Sequence, residues 1–352
     1  FSILRFFPNS RRARLIKVVV SMHTPTEPIR MIAGMSRAGT TWLCKSLNLH
    51  PEIAAFGESR FFARCFVPPR NDGGYTEKQL HTVIDGLKKR ILDSTMGDGP
   101  GCLPMNHAQQ LSILEDEFKR AHECLGPGDV YRRMCHALAQ GNGRRLSIEK
   151  TPQHILWFSR IVTYLPHVKM VVMLRNPYDF MLSYKHQGDR KAPRSRIAFQ
   201  RLYHPLACAL VWRRYMRAAT EEARKHPDKI LLVRNEELSR PRDLLERVQG
   251  FLQIEPLVDL DGIKSADNSS FPESSRPELG GEDVFWMNAI ARREFAEYGC
   301  EARQNPRNAG LAAARSLARL PLWSARNFLA LRRLVSGNSV AYVARWLGAP
   351  RG

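Results

Sequence analysis

Short apolar runs alternate with amphipathic stretches along most of this chain. Met31-Ile32-Ala33 comes first, followed by Ile53 to Phe56, Arg145 to Ile148, Met170 to Leu174 and Ile230 to Val233. These runs are too short for helices, and the unbroken Met170–Leu174 has the character of a central parallel strand buried on both faces. Between them, apolar residues recur at helical spacing, as at Leu80, Val83, Ile84, Leu87 and Ile91 within Glu77–Ser94. The same spacing predicts helices from Thr40 through Leu47, at Ile155–Leu165, Tyr178–Tyr184, Pro205–Lys225, Arg242–Leu252 and Val284–Tyr298, the last stopped by Gly299. Residues 107–140 read as two helices broken at Gly126-Pro127-Gly128. Strands alternating with helices predict an α/β fold: a doubly wound sheet, mainly parallel, with helices on both faces.

Breaks in the pattern divide the chain. Residues 1–29 form a lead, 30–300 the main domain, and 301–352 a basic, helical C-terminal extension with pieces broken at Pro321 and Gly337. Pro68-Pro69, Gly73-Gly74 and Gly97-Asp-Gly-Pro-Gly101 mark 66–105 as a mobile insertion covering the site, and Asp261–Gly281 as a loop follows from its Ser, Pro, Gly and Asp content. Glu301 is the last acidic residue; beyond it Arg315, Arg319, Arg326 and Arg345 stand among Leu317, Leu322, Trp323 and Trp346. Arginines beside Trp and Leu suit a helix lying on an anionic membrane, and helices packed on the main domain are the alternative.

Composition narrows the partners. The chain of 352 residues is 43% hydrophobic and carries a net charge of +20, which favours polyanionic ligands. Its basic residues are scattered and no nucleic-acid motif appears, so nucleic acid is not expected as a partner. Seven cysteines without a C-x-x-C pair predict free thiols in a reducing compartment, hence a cytoplasmic protein, with a Cys102–Cys124 pair left open. No metal-ligand spacing appears, so no metal is expected. Leu15–Met22 is too short and interrupted to span a bilayer, and the basic lead lacks a cleavage site.

The chemistry centres on the turn Gly34-Met-Ser-Arg-Ala-Gly39 after the first strand. Strand, Gly-rich turn and helix aim backbone N–H groups and a helix N-terminus at a phosphate. The glycines have P-loop spacing, but Thr40 stands where a Walker lysine would follow, and the cation lies inside the loop at Arg37. A second anchor is Arg175-Asn176-Pro177 at the end of the buried strand, with Ser183 eight residues past Arg175. A guanidinium and a hydroxyl converging there could hold another phosphate. Glu58 follows the second strand, at the edge where open α/β sheets collect ligands.

Together these motifs resemble the sulfotransferases that use 3′-phosphoadenosine 5′-phosphosulfate (PAPS). Gly34 to Trp42 is similar to their 5′-phosphosulfate loop, and Arg175 and Ser183 match their 3′-phosphate contacts. Glu149-Lys150-Thr151-Pro152 resembles the E-K-[ST]-P signature of carbohydrate-type members and bacterial relatives. His50-Pro51-Glu52-Ile53 followed by Glu58-x-x-Phe61-Phe62 is similar to the heparan-modifying branch.

The resemblance implies a P-loop-like fold, with 30–300 as a sulfotransferase catalytic domain. It implies PAPS as co-substrate and an acceptor hydroxyl or amine, on a glycan or glycolipid. Arg37, Ala38, Gly39, Thr40, Thr41, Trp42, Arg175 and Ser183 would bind the nucleotide. Glu58 would be the base, Lys150 and Arg37 would meet the transferring sulfuryl group, His154 would be a second candidate base, and Trp42 would stack on adenine, with a place in the core as its alternative. Two other readings compete: a P-loop small-molecule kinase, disfavoured by Thr40, and a non-catalytic polyanion-binding module, motivated by the charge.

Overall fold

The computed structural model describes residues 27–69, 74–92, 106–119, 125–189, 193–256 and 277–334. Five strands form one sheet: β1 Ile29–Gly34, β2 Ile53–Gly57, β3 Leu146–Lys150, β4 Val168–Leu174 and β5 Ile230–Arg234. Their order is β2-β3-β1-β4-β5 and every pairing is parallel. Burial follows position. Apart from Arg30 and Lys169 at their starts, central β1 and β4 are apolar on both faces and almost wholly buried, whereas edge strand β5 leaves Leu231 and Leu232 half-buried and Arg234 exposed.

Parallel pairing carries the C-terminal ends of all the strands to one edge. Register then decides which residues meet there: Lys150 lies opposite Ile32 on one side and Gly57 on the other, and Gly34 lies opposite Met173. The approach at Gly34 is close, with φ at 121°, and a Cβ there would sit 2.1 Å from the Met173 carbonyl oxygen. Only glycine fits.

Eleven helices occur among the described residues. They are α1 Thr40–Leu47, α2 Glu77–Leu92, α3 His107–Lys119, α4 Pro127–Gly141, α5 Phe158–Tyr164, α6 Pro177–Lys185, α7 Pro193–Leu202, α8 Pro205–Lys225, α9 Pro241–Leu252, α10 Gly281–Tyr298 and α11 Ala309–Leu334. By the right-handed crossover rule, this strand order assigns α1 to one face of the sheet and the helices of the other connections to the opposite face. The doubly wound sheet, its five strands and the helix starts at Thr40 and Pro205 agree with the sequence pattern.

Other elements differ from it. A 3₁₀ turn over Pro152–Trp157 precedes α5, and a single π-helical turn occupies Phe61–Cys65. Helix α7 was not expected, because Pro193–Leu202 has too few apolar residues to make a stripe. Helix α11 continues through Pro321 instead of breaking there. Proline removes one hydrogen bond and crowds the preceding turn, but strong helix formers on both sides carry the helix past it.

The 66–105 insertion contributes to the main core: α2 buries Val83, Leu87 and Ile91 and packs on the 61–65 turn and α3. Residues 70–73, 93–105 and 257–276 and the tail beyond 334, including Cys102, Gly337, Arg345 and Trp346, lie outside the described residues, as does Cys124. None of the described cysteines forms a disulfide. No described helix is long and apolar enough to cross a membrane. One face of α11 packs on α10, burying Ala309, Ala313 and Ser316, and Trp286 Nε1–H donates to Ser316 Oγ at 2.8 Å.

Candidate active site

The turn after β1 leads into a helix whose start no side chain covers. Arg37 and Gly39 take left-handed backbone conformations, φ 69° and 91°, and Gly39 is the N-cap of α1. No side chain caps this helix and no acidic residue lies in its first turn, so its leading amides and positive dipole end face the sheet edge without a resident anion. Ala38 and Thr40 are buried, Thr41 is half-buried, and Arg37 is exposed. Gly39→Ala should cost about 1–2 kcal/mol, since an L-residue is disfavoured at that φ and the new Cβ would lie 2.7 Å from Leu238 Cδ1. A urea midpoint equal to wild type would show that the turn relaxes at no cost.

The end of β4 closes onto the same turn. Asn176 caps α6, its side chain accepting from the Tyr178 amide at 3.0 Å, with Pro177 in the first helical position. Arg175 Nη1 donates to the Arg37 carbonyl, and Arg37 Nε donates to Ser183 Oγ at 3.1 Å. The two arginines therefore cross-brace the two phosphate motifs. Ser183 is fully buried, and buried Trp212 of α8 donates Nε1–H to the Arg175 carbonyl at 2.9 Å, fixing the backbone that carries the guanidinium. Arg37, expected at the 5′ end, thus touches a residue expected at the 3′ end.

On the other side of β1, Glu58 and Lys150 meet. The Glu58 amide donates to the Lys150 carbonyl at 2.8 Å, extending the β2–β3 pairing by one bond. Lys150 Nζ lies 3.3 Å from Glu58 Oε1. Arg60 takes the other oxygen, with Nε at 3.1 Å and Nη2 at 2.6 Å from Oε2. Burial by itself would push the Glu58 carboxyl up, but Lys150 and Arg60 outweigh it and hold the group below its ordinary value. Glu58 and Arg60 both have positive φ, 31° and 51°, so this turn concentrates backbone strain next to the candidate base.

Beneath them, Glu149 is completely buried and ties both segments together. It accepts from the Ser59 amide at 2.8 Å, from Ser59 Oγ at 2.9 Å, from Thr151 Oγ1 at 2.5 Å and from Tyr131 OH at 3.3 Å. Burial opposes its charge, yet His154, Thr151 and Ser59 keep the carboxyl below its ordinary value. Thr151 Oγ1 also receives the Arg60 amide at 3.1 Å. Strand alternation explains the division of labour: Glu149 points into the core and Lys150, its neighbour on β3, to the opposite face.

Two candidates stand elsewhere. His154 is fully buried, with Nδ1 3.1 Å from Glu149 Oε2 and its ring packed against the rings of Phe62 and Tyr131, which also touch each other. It is turned into the core and positioned to support Glu149, not to meet an acceptor. Trp42 is 5% exposed and belongs to the hydrophobic core, so its ring packs α1 onto the sheet. Among the described residues no group of three or more His, Cys, Asp or Glu could hold a metal ion.

A phosphate turn without a Walker lysine, braced to a strand-end Arg and Ser, accords with what similarity to known proteins shows. The sulfotransferase family profile matches residues 28–259. The chain belongs to the sulfotransferase family. It is a transferase of sulfur-containing groups. No curated protein matches it. Among solved structures, the sulfotransferase domain of the olefin synthase from Synechococcus PCC 7002 is similar, at 18% identity over 84% of this chain and 96% of that one, TM-score 0.46. So is a sulfotransferase from Alicyclobacillus acidocaldarius, at 20% identity over 77% and 93%, TM-score 0.42. A third, from Mycobacterium avium, has 14% identity over 81% and 79%, TM-score 0.45.

Some features of this sulfotransferase escaped the sequence reading: the Arg60 clamp, the Ser59 and Tyr131 contacts of Glu149, and the Trp212 support. Glu149 left a signal, a carboxylate at an inward position of a buried strand, which must find partners. Arg60 stood out in the sequence only as a departure from the heparan-type pattern on the acceptor side; its contact with Glu58 left no signal, because only the left-handed turn brings the side chain back.

Proposed function

We propose that this enzyme transfers the sulfuryl group of PAPS to a hydroxyl of a carbohydrate or glycolipid. The observation that carries the reading is the Glu58–Lys150 pair, a carboxylate and an ammonium 3.3 Å apart at the sheet edge beside the anion-binding turn. The residues fit the co-substrate: the amides of Gly39, Thr40 and Thr41 at the uncapped start of α1, the Arg37 and Arg175 guanidinium groups and the Ser183 hydroxyl supply donors for its phosphates. PAPS, when bound, supplies an activated sulfuryl group, whose S–O bond to the 5′-phosphate breaks as the acceptor oxygen bonds sulfur. Glu58 accepts the hydroxyl proton. Lys150 and Arg37 stabilise negative charge on the sulfuryl and departing phosphate oxygens.

The carbohydrate acceptor is supported by the E-K-T-P and E-x-x-F-F resemblances. Incubation with sulfur-labelled PAPS against glycans, glycolipids and peptides tests it. Label entering a glycan or glycolipid is expected; label in peptides alone would reject that acceptor class. Unconsumed PAPS would favour a binding module, and ATP-dependent, magnesium-requiring phosphorylation would favour a kinase.

The same reading places the enzyme in the cytoplasm, in peripheral contact with an anionic membrane. Leu311, Leu317 and Leu322 are exposed on α11 among the exposed Arg315, Arg319 and Arg326. Each basic residue near an anionic surface is worth about 1 kcal/mol. The full chain should float with phosphatidylserine vesicles at low salt and a chain ending at Gln304 should not. Equal flotation of the two, or none by either, would reject the contact.

A further inference from the structure

Arg60 has no part in the transfer described above, yet it makes the tightest contact with the base. Its Nε and Nη2 both donate to Glu58 Oε2, at 3.1 and 2.6 Å, while Lys150 holds Oε1. A carboxylate so engaged is a poor proton acceptor, since the cations that stabilise its charge disfavour its protonated form. Lys150 has an alternative partner when the sulfuryl group is bound. Arg60 needs one too.

Its surroundings indicate where that partner comes from. The Arg60 backbone is pinned: its φ is 51°, its amide is held by Thr151 Oγ1 at 3.1 Å, and the next residues enter the turn at Phe61–Cys65. The side chain is not pinned, because it is about one-fifth exposed and its hydrogen bonds go to Glu58, itself one-fifth exposed. A partly exposed guanidinium on a fixed backbone, in contact with the base, is placed to exchange one carboxylate for another anion.

We propose that the acceptor is anionic, and that Arg60 determines specificity by moving from Glu58 to an anionic group of the acceptor, leaving Glu58 Oε2 to take the hydroxyl proton. The inference rests on the sulfuryl-transfer reading with Glu58 as base. A neutral alcohol, or water, leaves the clamp closed. Catalysis is thereby coupled to recognition, and co-substrate is protected from wasteful hydrolysis.

Two probes of one shape test this: methyl β-D-glucuronide and methyl β-D-glucoside, which differ by a carboxylate. Calorimetric titration into enzyme saturated with adenosine 3′,5′-bisphosphate should show the glucuronide binding tighter by roughly tenfold to a hundredfold, the range of a charge-assisted hydrogen bond. In Arg60→Gln the two should bind alike. The second readout is hydrolysis of PAPS without acceptor, which should rise about threefold or more in Arg60→Gln, because the base is no longer masked. A merely structural arginine would lower hydrolysis when removed. Equal or absent binding of the two probes by wild type, a preference kept in Arg60→Gln, or hydrolysis unchanged or reduced in that variant would each overturn the proposal. Failure of wild type to bind the bisphosphate would take down the sulfuryl-transfer reading itself, and this inference with it.

Discussion

Glu58→Gln is expected to lower turnover by about 10²–10⁴-fold while nucleotide affinity stays close to wild type. Glutamine is nearly isosteric and can still accept a hydrogen bond from Lys150, but it cannot take the proton of an attacking hydroxyl. The carboxyl of Glu58 is held below its ordinary value, so it is ionised at neutral pH and remains so into mildly acidic solution. The acid limb of kcat/KM, which reports the free enzyme, should therefore lie below the ordinary value of a glutamate. Turnover with labelled PAPS and calorimetric binding of adenosine 3′,5′-bisphosphate separate the two effects. Wild-type turnover in the variant would remove Glu58 from the chemistry; lost nucleotide binding would make it structural.

Arg175→Ala should weaken binding of the same bisphosphate by about 2–4 kcal/mol, or about 30- to 1,000-fold. Two losses combine. A cation facing the phosphate disappears, and so does the bond from Arg175 to the Arg37 carbonyl, which holds the anion-binding turn in its left-handed form. Arg37→Ala should weaken binding as well, and the double variant should lose less than the sum, because each single change already loosens the shared brace. Strict additivity would show two independent phosphate sites. Unchanged affinity in Arg175→Ala would refute the 3′-phosphate assignment.

The strands and most helices were legible in the sequence because burial on both faces leaves unbroken apolar runs, and burial on one face leaves a stripe. Pro177 and Pro205 marked helix starts by removing an N–H that would have had no partner. The candidate site was legible where its parts are local, in the turn from Gly34 to Gly39 and in Glu149-Lys150-Thr151-Pro152. It was not legible where long-range geometry decides. His154 lies four residues beyond Lys150, within reach of the site by sequence, yet the 3₁₀ turn after Thr151 turns it inward onto Glu149. Trp42 has the residue type for stacking, but its place in the first turn of α1 faces the sheet. Helix α7, rich in arginine, left no apolar stripe to announce it.

The buried Glu149 hub has an evolutionary consequence. One carboxylate anchors the turn that presents the base and the strand end that presents the lysine, through Ser59 and Thr151. Neither hydroxyl can be exchanged for an apolar group without leaving a buried anion short of a donor. Across an alignment of relatives, positions 59, 149 and 151 should therefore covary, with polar residues at the two outer positions wherever 149 is acidic. Lineages that have lost the acid should have lost both hydroxyls with it, and should hold their base by some other means.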